Sequence, residues 1–364
     1  MRSIKFLGVL LIVAFFIVPA VTVVASMPSD GAEKSNFYYD QLNANSKAIY
    51  DAAESAGADV RTLTIQLPMK ITVTSDKLDE AKNYLETIVR TTSDAAFGAL
   101  RIASPMAYWG WVASVVKQPT YTLEQRGNSL TVSSLTYTNN VGNFPINAET
   151  GEPDIEKALS DLREAVDRFH TDSTTTRDKV RDINNYITNI AVYDPNYGIT
   201  EAKDGGEKES AFCHDAYGAL VDPKHYAVCD GYSKAFLLLC EKEGIECIMV
   251  YGTALTTYVN HAWNYVKMDN GKWYAIDVTW NDNGKDDNPY FLKGGLTFFT
   301  THSQGEFLSF GMKSYQFNGP ILSTTDFDES GESSDIRIYG WVAAAAIVAV
   351  LCVVIIIHNM KNKR

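Results

Sequence analysis

Ala227-Val-Cys-Asp-Gly-Tyr-Ser-Lys-Ala-Phe236 places a cysteine where a loop enters a helix. The loop before it, Asp222-Pro-Lys-His-Tyr-Ala-Val228, carries turn formers, and Leu237, Leu238 and Leu239 continue an apolar run. A helix is expected from Cys229 to about Glu243, with Gly244 as its stop. A cysteine nucleophile works as a thiolate, and a helix N-terminus and a nearby imidazolium both favour that form. Gly231 leaves the first turn without a side chain, which would let a substrate come close. The backbone N–H groups of that turn would point at a developing oxyanion.

A thiolate needs a base, and the base needs a third group to hold it. Cys247 to Gly252 reads as a strand, and His261 to Met268 as another, opened by Asn260-His-Ala-Trp-Asn264. A further strand is expected over Lys272 to Thr279, with Trp273-Tyr-Ala-Ile-Asp-Val-Thr-Trp280 inside or just beyond it. Asp269-Asn270-Gly271 between them is a hairpin turn, so the strands are antiparallel. A turn centred there brings His261 and Asp277 within one or two residues of facing each other. Taken singly, each residue has an ordinary structural reading: a small core cysteine, a surface histidine, an aspartate at a turn. Together, in helix–strand–hairpin order, they point to a catalytic triad of Cys229, His261 and Asp277.

Ala216-Tyr-Gly-Ala-Leu220, Gly244-Ile-Glu-Cys247 and the three motifs above resemble the transglutaminase-like superfamily over about residues 175–295. The resemblance implies an α+β fold. Its papain-like core has a helix carrying Cys229 packed on an antiparallel sheet carrying His261 and Asp277. It also implies acyl chemistry through a thioester, either amide hydrolysis or transfer of a glutamine acyl group to an amine. Cys229 would attack the carbonyl, His261 would shuttle the proton and Asp277 would orient His261. The superfamily's second oxyanion donor has no evident counterpart here. Tyr232, Trp263, Asn264 and Trp280 flank the triad and either line the substrate cleft or pack beneath it. His225 either lines the entrance or is simply exposed, and His214 and His302 receive no role.

The catalytic domain is placed at 152–320, after an Asn-, Gly- and Pro-containing boundary, with helices near 153–170 and 174–190 and a short one near 211–220. An accessory α+β region is placed at 37–138. It reads as a helix over Leu42 to Ala56 and an extended run over Val60 to Thr74, broken near Pro68. A helix over Asp76 to Val89, capped by Ser75, follows, then a hairpin turning at Arg126-Gly127-Asn128. Its opening, Phe37-Tyr-Tyr-Asp-Gln-Leu42, resembles the leading region of some microbial surface members.

Both ends are apolar. Residues 1–26 read as a signal peptide or N-terminal anchor, with Arg2 and Lys5 before the apolar run. Residues 321–337 read as a polar stalk, 338–357 as a transmembrane helix and 358–364 as a basic cytoplasmic tail. A cell-membrane protein, crossing once or twice with its main domain extracytoplasmic, is expected. The partners expected are the membrane and a peptide or protein substrate at the cell surface.

The 364 residues are 46% hydrophobic and 12% aromatic, enough for a substantial core. The net charge is −12, and six of the basic residues lie at the extreme ends. A body so acidic repels phosphate backbones, which argues against nucleic-acid binding. Of five cysteines, Cys352 lies in the apolar tail. With Cys229 as nucleophile, Cys213, Cys240 and Cys247 allow one bridge at most, and the pairing stays open. Thiol–disulfide exchange is disfavoured, because Cys240 would lie roughly 16 Å from Cys229 along the helix. No cofactor is expected. Asn281-Asp-Asn-Gly-Lys-Asp-Asp-Asn288 is rich in oxygen ligands suited to calcium, but it lacks the spacing of a calcium hand; it reads as a polar turn, with a calcium site as the alternative. The rival function is a non-catalytic surface binding or scaffold module that keeps the fold.

Overall fold

A computed structural model describes residues 37–328 apart from 57–59, 61, 112–117, 139–143, 202–205, 286, 305–314 and 316. The expected leader at 1–26, transmembrane helix at 338–357, basic tail at 358–364 and most of the stalk lie outside the described residues. Among the described residues, no helix is long and apolar enough to cross a membrane.

The leading region holds α1 (Ala44–Ser55), β1 (Thr62–Thr74), α2 (Leu78–Ala103), α3 (Pro105–Trp111), β2 (Leu123–Arg126) and β3 (Ser129–Thr138). The strands form an antiparallel sheet in the order β1-β3-β2. Ile65, Leu67, Ile71 and Val73 of β1 are buried, as are Leu130, Val132, Leu135 and Tyr137 of β3. Threonines pair on the exposed face, Thr64 with Thr136 and Thr72 with Thr131, each at 3.0 Å. The break expected near Pro68 is an irregularity within one strand. The chain continues through it with a register shift between Gln66 and Ile71, because proline has no N–H for the ladder. Asn45 covers the irregularity by bonding both the N–H and the carbonyl of Met69.

The helix expected to end at Val89 runs on to Ala103. Thr92, Ser93 and Asp94 look like a polar stop in sequence, yet all three are buried. Ser93 donates to the Val89 carbonyl, and its hydroxyl lies 2.6 Å from that of Tyr137. The start also differs. Ser75 accepts from the Lys77 N–H, but the helix begins only at Leu78.

The following region holds α4 (Ile155–Arg168), α5 (Thr176–Ile190), β4 (Val192–Tyr193), α6 (Ala216–Leu220), β5 (Tyr226–Ala227), α7 (Cys229–Lys242), β6 (Cys247–Ala254), β7 (Val259–Lys267), β8 (Trp273–Ile276), α8 (Val278–Asn281), α9 (Gly295–Phe298) and β9 (His302–Gln304). Asp154 and Thr175 cap α4 and α5 through their side chains. An antiparallel sheet in the order β8-β7-β6-β9 carries α7 on one face. Every residue of α7 from Asp230 to Cys240 is buried, so this helix is a core element with no solvent stripe. Full burial of each leucine in it contributes about 1.5–3 kcal/mol. Gly244 ends it with φ +70°, a conformation that strains other residues.

Gly271, at φ +74°, closes the β7–β8 turn with its N–H on the Met268 carbonyl. Pairing runs from Lys267↔Trp273 to Asn264↔Ile276. The last strand stops at Ile276, short of the expected Thr279, because Asp277 leaves the sheet to cap α8. The helix expected near 211–220 forms only from Ala216.

Buried side chains of both regions make one continuous hydrophobic cluster. Tyr38 is completely buried and donates to the Met249 carbonyl on β6 at 2.8 Å.

Candidate active site

Cys229 is the first residue of α7. The extended residue before it, Val228, is pinned by its N–H to the Cys213 carbonyl at 2.8 Å, and the Asp194 N–H reaches the Ala227 carbonyl at 3.0 Å. These bonds aim the chain into the helix with the sulfur half-buried. Gly231 serves the same join. A Cβ there would sit 2.3 Å from the Cys213 carbonyl oxygen and 3.2 Å from the Ala227 Cβ. The missing side chain therefore lets the 213–215 segment pack against the helix, and does not open the site to substrate as the sequence suggested.

The histidine and aspartate come from neighbouring strand ends. His261 Nε2 lies 2.8 Å from Asp277 Oδ2, and Cys229 lies within electrostatic reach of the same imidazole. With Nε2 occupied by Asp277, Nδ1 is the nitrogen left for sulfur. His261 is 6% exposed and Asp277 completely buried, so the sulfur is the partly open end of the series. Burial by itself would push the His261 pKa down. The charge and hydrogen bond of Asp277, then Cys229, outweigh it and raise the pKa to about 10. Burial would push Asp277 up, but His261 and then His302 hold it at about 2. An imidazole held in its charged form between a sulfur and a buried carboxylate can exchange a proton with that sulfur and with a leaving group.

Of the residues expected to flank this series, Trp280 lies against His261, with ring centroids 5.1 Å apart and planes at 29°. Tyr232, Trp263 and Asn264 are fully buried and pack beneath. Tyr232 donates to Asp282 at 2.5 Å, and Asn264 donates to the Ser233 carbonyl of α7 at 3.1 Å. They sit below because both faces of β7 are covered, leaving His261 through Val266 buried without alternation. His225 is part-buried, with Nδ1 on the Ala219 carbonyl.

Several residues without a sequence assignment converge here. His302 Nε2 lies 3.1 Å from Asp277 Oδ2. Asp230, next to the sulfur, is buried against His214 at 2.8 Å and Arg101 of α2 at 3.7 Å. Burial would raise the Asp230 pKa, but the His214 bond and the charges of Lys234, His214 and Arg101 hold it below the usual carboxylate range. Tyr193 and Tyr197 are about half exposed and lie within electrostatic reach of Cys229. No local pattern marked any of these, although Asp230 stands inside the cysteine motif.

Cys213, Cys229, Cys240 and Cys247 are all thiols, and burial, with Cys247 nearby, pushes the Cys240 thiol up. Two clusters place three potential ligand atoms within 4.8 Å of one another: Glu209, Cys213 and His214, and His261, Asp277 and His302. In the first, burial and nearby carboxylates push the Cys213 thiol well up, which opposes the thiolate a metal takes. In the second, Asp277 Oδ2 already meets both rings, and a cation would have to displace their hydrogens. In the loop considered for calcium, Asn281 is buried while Asn283 to Lys285 and Asp287 are exposed. Asn281 bonds Asn184 and the Tyr290 N–H, and Asn283 bonds Asp287.

Residues 163–278, which include Cys229, His261 and Asp277, match the family model of the transglutaminase-like superfamily. This stretch is similar to a transglutaminase-like domain. Among solved structures, one titled as a TGase is 20% identical over 46% of this chain and 45% of its own, with a TM-score of 0.28. A putative cysteine protease from Cytophaga hutchinsonii is 15% identical over 44% of this chain and 62% of its own, with a TM-score of 0.23. In both cases the likeness spans less than two thirds of the solved chain. No curated protein matches. The 163–278 stretch thus contains the sulfur, imidazole and carboxylate, while Arg101 of the leading region and His302 lie outside the matched residues.

Proposed function

We propose that this protein carries out thiol-dependent acyl chemistry on peptide or protein amides, with Cys229 as nucleophile, His261 as acid and base, and Asp277 orienting His261. The observation that carries this reading is the 2.8 Å contact of the buried Asp277 with His261, with the partly exposed Cys229 at the start of α7 within electrostatic reach of that imidazole. The thiolate adds to the amide carbonyl carbon. The imidazolium then gives its proton to the departing amine, leaving a thioester on Cys229. Water or a second amine attacks that thioester, passing a proton to His261, and the acyl group leaves as an acid or as a new amide.

On this reading the chemistry takes place outside the membrane, and what supports it is the apolar length of 338–357 and the basic residues that follow it in the sequence. The half-exposed rings of Tyr193 and Tyr197, within electrostatic reach of Cys229, suit a peptide substrate at the cell surface.

Incubation of the full-length chain with a glutamine-donor peptide, with and without a labelled primary amine, tests the reading. Acid release or amine incorporation that vanishes in Cys229→Ala supports it, and the ratio of the two products separates hydrolysis from transfer. Turnover that persists in Cys229→Ala contradicts it.

A further inference from the structure

Asp277 faces two imidazoles, not one. Its Oδ2 lies 2.8 Å from His261 Nε2 and 3.1 Å from His302 Nε2, while its Oδ1 accepts the Trp280 N–H at 3.1 Å. The carboxylate is completely buried, so these three donors stand in for the water it has lost. His302 is itself completely buried, which keeps it from substrate and from any role as a second base.

The His302 ring is also held in place. It stacks on Phe298 at 4.0 Å with planes 11° apart, and packs against Trp280 at 4.5 Å and Trp263 at 5.0 Å. Its Nδ1 lies 2.9 Å from the Thr301 hydroxyl. Strand β9 sets its height by pairing His302 with Ala254 on β6. One edge of the sheet therefore supplies a fixed donor to a carboxylate that leaves the opposite edge. Without His302, Oδ2 would keep only the His261 bond, and the Trp280 N–H on Oδ1 would remain as the pivot of a turn that unseats the imidazole serving Cys229.

We propose that His302 is a positioning residue that fixes the Asp277 carboxylate for His261. The proposal rests on the triad reading of Cys229, His261 and Asp277. Stacking alone, without the hydrogen bond, would make His302 a packing residue that any ring could replace.

The test uses the full-length chain in wild type, His302→Phe, His302→Gln and His261→Ala. Phenylalanine keeps a ring and lacks the donor, and glutamine keeps a donor and lacks the ring. Two quantities are read: the rate of iodoacetamide alkylation of Cys229 at pH 7, and the His261 titration followed by NMR of 15N-labelled histidine. His302→Phe is expected to slow alkylation by about tenfold and to lower the His261 titration by about one pH unit, toward the ordinary imidazole value. His302→Gln is expected to restore most of both. Should the phenylalanine variant fail to fold, His302→Met, flexible and without a donor, takes its place with the same expectation. A donorless variant that alkylates and titrates as wild type overturns the proposal, and so does a glutamine variant no better than the donorless one. If His261→Ala slows alkylation while the donorless variant does not, only the positioning role fails. If His261→Ala has no effect, the triad reading fails and the proposal falls with it.

Discussion

Arg101 on α2 lies 3.7 Å from Asp230, the residue after Cys229, and the two side chains are 5% and 6% exposed. The guanidinium also sits over the Tyr251 ring of β6 at 4.6 Å. A charge from the leading region thus meets the first turn of the helix that carries the sulfur. Asp230 carries further support from His214, and Lys234 sits nearby on Asp215 and the His214 carbonyl. The leading region is therefore part of the packing that holds α7 in place.

Removing one member of such a buried set leaves charge behind with no water to solvate it. Arg101→Met keeps the length of the chain and deletes the charge. It is expected to lower stability by about 3 kcal/mol, read as a shift in the urea midpoint. An unchanged midpoint would mean that His214 and Lys234 satisfy Asp230 without help from α2.

Gly231→Ala tests the join between the 213–215 segment and α7. The new methyl would meet a backbone carbonyl at 2.3 Å, and that carbonyl already accepts the Val228 N–H beside Cys229. Backbone cannot swing aside as a side-chain tip can, so a loss of about 3 kcal/mol is expected, together with slower Cys229 alkylation. An alanine variant as stable and as reactive as wild type would show that the first turn has room, and the substrate-approach reading of Gly231 would return.

The His261–Asp277 pair predicts how stability varies with pH. His261 is raised from 6.5 to about 10, so its contribution is complete below pH 6.5 and is lost as pH climbs through about 10. Asp277 is lowered from 3.8 to about 2, so its contribution is complete above pH 3.8 and is lost as pH falls through about 2. Both are complete between these two ordinary values. The melting temperature is expected to fall from there toward pH 10, with a shallower alkaline slope in Asp277→Asn. Equal slopes in the two proteins would place the alkaline loss elsewhere in the molecule.

The positions of Cys229, His261 and Asp277 were legible because each is set by local rules: a helix start, a strand start and a glycine-closed turn. Pairing across that turn fell where the spacing placed it, although Asp277 reaches His261 from a helix cap and not from within the strand. His302 and Arg101 were not legible. Their partners lie 25 and 129 residues away and meet only because β9 joins the sheet through β6 and α2 packs against it. The extension of α2 was hidden because Thr92, Ser93 and Asp94 carry a solvent-like pattern into a buried place. Tyr232, Trp263 and Asn264 were read as open to either the cleft or the packing beneath it. Motif neighbours do not reveal that a strand is covered on both faces.

The most direct test of the central claim is the rate at which Cys229 is alkylated in the full-length chain at pH 7, in wild type and in His261→Ala, followed by mass spectrometry of the Cys229 peptide. A free thiol is only a few per cent thiolate at that pH. A working sulfur–imidazole pair predicts that wild type reacts at least about tenfold faster than the variant. Equal rates in the two proteins would contradict the pair, and the protein would then be read as a surface binding module that keeps the fold without the chemistry.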